Sequence, residues 1–238
     1  MPQKISAPSV FLQLWFSRVA EATRDAEAAV ESILSASEKE RLRSLKSAAR
    51  RREYLLSRAL MRHALSLRYQ REPGGWNFFD QQRAKPVVNN LPEGIYLGLS
   101  HSKGLICFAL ANCRLGIDIE LIGKQRRFTA MAKMFMNDEE RSRLVAGDVD
   151  QANYFYRSWC AKEACYKLLC ADEQKRTLMT AIDYARLRDG SSGWCLREGR
   201  IGQFAFAAVT ASPPDSIDCE YFQQPDDGLE TLELFQPA

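Results

Sequence analysis

The heptapeptide Leu-Gly-Ile-Asp-Ile-Glu-Leu at 115–121 constrains this chain more than any other stretch. It places Ile117, Ile119 and Leu121 on one side and Asp118 and Glu120 on the other. Successive strand side chains point to opposite faces, so residues 115–121 predict a strand with an apolar face and two carboxylates sharing the other face. Two like charges that close repel unless a cation lies between them. A hard divalent ion with oxygen ligands answers that need, and magnesium suits a site shared with phosphates. Taken alone, the pattern also describes a solvated, acidic strand face.

A second set of reactive side chains lies on a long helix expected over 151–169. Glu163 and Lys167 are four residues apart and so share one helix face, with Trp159 on the same general side. Lys162 adjoins Glu163 and points elsewhere. An ordinary surface ion pair beside a buried Trp has the same spacing. Ser100-His101-Ser102 is read as part of a turn over 100–104 joining strands at 95–99 and 105–110. A turn histidine with hydroxyl neighbours and free backbone N–H groups suits a phosphate. Arg83 and Lys85 precede Pro86 in a loop, and Arg50, Arg51 and Arg52 lie on the helix upstream.

Composition bounds the class. Of 238 residues, 46% are hydrophobic and 26% charged, which is ordinary for a globular protein and enough for a sizeable core. The net charge is only +3, yet cations crowd 39–71, where Glu40 and Glu53 alone oppose them, and Asp226, Asp227, Glu230 and Glu233 bias the tail the other way. A local basic stripe on a near-neutral chain suggests a specific anionic ligand or partner. The seven cysteines show no zinc spacing and are odd in number, so reduced thiols in a cytoplasmic protein are expected. No leader-like or membrane-spanning run is visible.

Organisation follows from periodicity. A strand is expected at 10–16 and a helix at 25–34. A helix over 37–69, with a break near Ser47, is opened by a Ser37–Glu40 capping box. Pro73-Gly74-Gly75 ends it in a turn, and an irregular stretch runs to Pro86. Beyond the 115–121 strand, helices are expected at 128–135, 138–144 and 151–169, then strands at 182–188, 194–197, 204–210 and 217–222. These elements predict an α+β protein of two similar α/β lobes in pseudo-twofold arrangement, residues 1–112 and 113–238, each with helices on a small, mainly antiparallel sheet.

The order and spacing of Ala84-Lys85-Pro86, Ser100-His101-Ser102, Gly116-Ile-Asp118-Ile-Glu120 and Trp159-Cys-Ala-Lys162-Glu163-Ala-Cys-Tyr-Lys167 resemble the 4′-phosphopantetheinyl transferases of the two-lobed, monomeric Sfp-like type. An Arg-x-x-Leu-Leu pattern at 52–56 extends the resemblance to about residues 35–169. Ala84 stands where that family has glycine, Cys160 where it has Ser or Thr, and Gly98 where a polar residue is frequent. The resemblance implies a cytoplasmic, monomeric enzyme moving phosphopantetheine from coenzyme A to a serine of an apo acyl or peptidyl carrier protein, with neither nucleic acid nor membrane as partner. It implies Mg²⁺ held by Asp118, Glu120 and Glu163, and diphosphate held by Lys167. Arg52, Arg83, Lys85, Ser100, His101 and Lys162 would serve the rest of coenzyme A. Glu139 is the expected general base, with Glu140, Glu163 and water left open. A nucleic-acid binder using the basic helix, and a non-catalytic coenzyme A binder, are the alternatives.

Overall fold

The computed structural model describes residues 9–19, 24–80, 87–123, 128–146, 150–221 and 232–235, with Arg24 and Tyr221 as backbone only. In chain order the elements are β1 (Phe11–Arg18), α1 (Arg24–Ser32), α2 (Ala36–Ser44), α3 (Ala48–Tyr69), β2 (Phe78–Phe79), β3 (Val87–Val88), β4 (Tyr96–Ser102), β5 (Leu105–Ala111) and β6 (Leu115–Leu121). There follow α4 (Phe128–Ala132), α5 (Asp138–Ala146), α6 (Gln151–Leu168), α7 (Ala171–Arg176), α8 (Tyr184–Arg188), β7 (Cys195–Ile201), β8 (Phe204–Thr210), β9 (Ser216–Tyr221) and β10 (Leu232–Leu234). The protein is α+β with two sheet-containing lobes.

One four-stranded sheet has the order β4-β5-β1-β9 and the other β10-β7-β8-β6. The chain leaves the first sheet after Ala111 and enters the second at Leu115. Strand β9 then crosses back and pairs parallel with β1, from Phe11 opposite Ser216 to Phe16 opposite Tyr221. The division at 112 therefore does not assign every strand to its own half of the chain.

Two layers of helix enclose the two sheets. Leu12, Leu14 and Phe16 of β1 meet Ile117 and Ile119 of β6 and Phe206 of β8 in a core between the sheets, where Phe16 and Phe206 cross edge to face at 5.1 Å. Leu60, Met61, Ala64 and Leu65 of α3 cover the outer face of the first sheet. Cys160, Ala161, Ala164 and Leu168 of α6 cover that of the second. Burying each large aliphatic side chain here contributes about 1.5–3 kcal/mol. The alternation of β6 is thereby explained: its isoleucines face the other sheet, and its carboxylates face α6.

Local chemistry moves several expected boundaries. The capping box of α2 is formed by Ser35 and Glu38 rather than Ser37 and Glu40. Glu38 Oε2 accepts the Ser35 N–H at 2.8 Å, while Ser37 Oγ accepts the Asp80 N–H at 3.1 Å. Glu38 is fully buried because Arg58 and Arg62 of α3 both reach it, at 3.2 and 2.6 Å. The break at Ser47 is present, as its N-cap position before α3 shows. Residues 182–188 form no strand: Asp183 caps α8 by accepting the Arg186 N–H at 3.0 Å. Strand β4 runs through His101 to Ser102, and the turn is only Lys103-Gly104, both at positive φ (45° and 85°). A two-residue hairpin turn of that hand matches the strand twist, and glycine supplies its second position without strain.

Candidate active site

The site lies where two edge strands, β4 and β6, run beside one another. Gly98 makes the approach possible, since a Cβ there would lie 2.7 Å from Ile117 Cγ2. With the strands this close, Ser100 Oγ donates to Asp118 Oδ1 at 2.9 Å and Ser102 Oγ to Glu120 Oε2 at 2.8 Å. The two alternating pairs thus interlock, each serine orienting one carboxylate. Ser102 was not among the expected site residues. Its place two positions after Ser100 was the available signal, hidden by reading 100–104 as a turn.

Helix α6 closes the site from the other side. A Cβ on Gly116 would fall 1.9 Å from the Ala164 carbonyl oxygen and 2.7 Å from the Leu168 nitrogen, so strand and helix backbones touch. Asp150 starts the helix by accepting the N–H groups of Ala152 and Asn153. Arg114, just before β6, donates to the Leu168 carbonyl at 3.2 Å and ties its other end to the same strand. Held so, α6 delivers Trp159, Glu163 and Lys167 to an open cleft of about 300 Å³ whose other walls are Leu99, Ser100, His101, Asp118 and Glu120.

The electrostatics are strongly acidic. Lys167 Nζ donates to Asp118 Oδ1 at 2.6 Å and lies 3.4 Å from Ser100 Oγ. Asp118 is 4% exposed, and its Oδ2 is buried with no hydrogen-bond partner. Burial pushes the Glu163 carboxyl above its usual 4.5; Lys167 opposes this, and the charges of Asp118 and Glu120 add to it. Burial, then Asp118 and Glu120, hold the thiol of the neighbouring Cys160 well above its ordinary range. Three carboxylates face one ammonium.

An orphaned, buried carboxylate oxygen beside two further carboxylates fits a hard cation with oxygen ligands. As they stand, no three or more His, Cys, Asp or Glu side chains among the described residues form a ready metal cage. Lys167 holds one oxygen of Asp118, and Ser102 holds one oxygen of Glu120.

The remaining candidates separate. His101 lines the cleft, and its Nδ1 lies 2.8 Å from Glu53 Oε1 of α3, a partner not foreseen. Arg52 does not line the cleft and pairs with Glu27 of α1 at 3.3 Å. Arg83 and Lys85 lie outside the described residues. Lys162 is wholly buried away from the cleft, where its ammonium meets Glu140 Oε2 at 2.5 Å and the Phe135 carbonyl at 2.8 Å. The structure gives Lys162 these internal partners and no place in the cleft lining. Glu140 is consumed in the same cluster: it accepts the N–H groups of Asn137 and Tyr184. Glu139 is exposed on α5, pairs with Arg143 at 2.6 Å and does not line the cleft.

Residues 114–207 match the model of the 4′-phosphopantetheinyl transferase superfamily. The chain is 32% identical over 138 residues to the 4′-phosphopantetheinyl transferase Sfp of Bacillus subtilis, covering 57% of this chain and 60% of that protein. It is 28% identical over 156 residues to the 4′-phosphopantetheinyl transferase HetI of Nostoc sp., covering 62% and 65%. With enterobactin synthase component D of Salmonella typhi it shares 30% identity over 150 residues, covering 60% and 57%. The matches thus span about three fifths of the length of these relatives. The segment similar to the 4′-phosphopantetheinyl transferase superfamily carries Asp118, Glu120, Glu163 and Lys167.

Proposed function

We propose that the protein transfers 4′-phosphopantetheine from coenzyme A to a serine of an apo acyl or peptidyl carrier protein, as a cytoplasmic monomer using Mg²⁺. The observation that carries this reading is the convergence of Asp118, Glu120, Glu163 and Lys167 on one open cleft. Relatives named as phosphopantetheinyl transferases support it further.

In the reaction, the carrier serine oxygen bonds to the β-phosphorus of coenzyme A. The bond from that phosphorus to the bridging oxygen breaks, and 3′,5′-ADP leaves with the electron pair. Charge neutralisation at the diphosphate is the chemistry a divalent ion supplies here when bound. Asp118 and Glu120, oriented by Ser100 and Ser102, would hold that ion together with Glu163. Lys167 would bind a diphosphate oxygen, and Leu99 and Trp159 would wall the site against water. His101, steadied by Glu53, would meet the nucleotide end. We assign the serine proton to Glu163 rather than Glu139, because the Glu163 carboxyl lines the cleft and that of Glu139 does not.

The nucleic-acid alternative draws on the basic stripe alone and leaves the four converging side chains without a role. Incubation with coenzyme A, Mg²⁺ and several apo carriers tests the proposal by intact-protein mass spectrometry. The expected result is a phosphopantetheine-sized mass gain on at least one carrier serine. No gain on any acyl or peptidyl carrier would refute it.

A further inference from the structure

We infer that Lys167 is a tethered cation competing for the Asp118 carboxylate, so that a divalent ion enters readily only with an anion that draws the ammonium off Asp118. The inference rests on the metal-site reading above and deepens it.

Three observations carry it. Lys167 Nζ is 2.6 Å from Asp118 Oδ1, the oxygen that also accepts Ser100 Oγ at 2.9 Å. The other oxygen of Asp118 is buried and unpartnered, so the carboxylate is held from one side only. Lys167 is itself 30% exposed at the cleft, so its flexible four-carbon stem can turn the ammonium toward an incoming ligand.

A cation arriving alone must displace a partner that is already covalently attached and therefore at high local concentration. A diphosphate arriving with the cation offers Lys167 an equivalent partner, leaving Asp118 to the metal. By linkage, each ligand then raises the affinity for the other. The Lys167–Asp118 pair also neutralises one of three clustered carboxylates, which limits their mutual repulsion.

The test measures Mn²⁺ binding to chelator-stripped protein by the electron paramagnetic resonance of free Mn²⁺, with no nucleotide or carrier present. Lys167→Met and Lys167→Gln, each verified as folded by circular dichroism, are expected to bind Mn²⁺ at least about tenfold more tightly than wild type. Lys167→Arg, which keeps the charge, should not. Adding Asp118→Asn to Lys167→Met should cancel the gain. Affinity equal to or below wild type in both neutral variants, or no detectable binding by either, overturns the inference. Because coenzyme A and carrier are absent, failure here is separable from failure of the transferase proposal: either result can occur without the other.

Discussion

Gly116 of β6 and Ala164 of α6 meet backbone to backbone, leaving 1.9 Å between the position of a Cβ on the glycine and the alanine carbonyl oxygen. That contact sets the height of α6 over the strand. It thereby sets the distance between the two segments that supply the carboxylates.

Gly116→Ala is therefore expected to be disproportionately harmful, since no flexible side chain is available to yield. Overpacking of this kind costs about 1–3 kcal/mol, occasionally more. The displaced helix also moves Glu163 and Lys167, and a 1 Å misplacement can cost about 100-fold in rate. Urea denaturation and carrier-labelling kinetics would show both losses. A variant with unchanged stability and rate would show that the contact is not structural.

Lys162 and Glu140 form an ion pair in which both side chains are almost wholly buried. Burial lowers the Lys162 pKa, and the bond to Glu140 opposes that. Removing one partner strands the other charge, so Lys162→Met and Glu140→Gln should each lose about 3–5 kcal/mol. The double variant should lose less than their sum, as a denaturation-based double-mutant cycle would show.

How much of this was legible in the sequence depends on the range of the interactions involved. The alternation of 115–121 and the spacing of Glu163 and Lys167 are local, and they specified strand, helix and facing side chains correctly. Lys162 could not be placed that way, because its partners Phe135 and Glu140 come from a different segment. The Ser35–Glu38 box competed with a Ser37–Glu40 box of identical spacing. Burial of Glu38 against Arg58 and Arg62 decided between them, and that is a tertiary fact. Residues 182–188 have strand-like apolar spacing, but the cap from Asp183 and the burial of Tyr184 and Leu187 favour one helical turn. Crossing of β9 into the first sheet had no local signal at all.

Glu173 gives a defined pH dependence. Hydrogen bonding from Arg114, then from the Cys170 backbone, lowers its carboxyl from 4.5 to about 2. A depressed carboxylate contributes stability above its unfolded pKa and loses it as pH falls through the folded value. Glu173→Gln should be slightly less stable than wild type at neutral pH, the difference fading between about 4.5 and about 2. Thermal unfolding across that range checks it. The effect should be small, because the pair is solvent-exposed.

Glu163 should behave in the opposite way in metal-free protein. Its raised pKa means the folded state disfavours its charge, so stability falls as pH rises from 4.5 through the folded value. Glu163→Gln, with chelator present, should melt above wild type at neutral pH and alongside it below 4.5. A lower melting temperature at neutral pH would contradict the electrostatic reading of the cleft.

Side-by-side labelling of an apo carrier by wild type, Asp118→Ala, Glu163→Gln and Glu139→Gln tests the central claim most directly. Loss of one electrostatic stabiliser typically costs about 100- to 1,000-fold. Asp118→Ala and Glu163→Gln are expected to fall by that amount with folding preserved, while Glu139→Gln stays within a few-fold of wild type. Near-normal labelling by Glu163→Gln, with collapse of Glu139→Gln, would contradict the account.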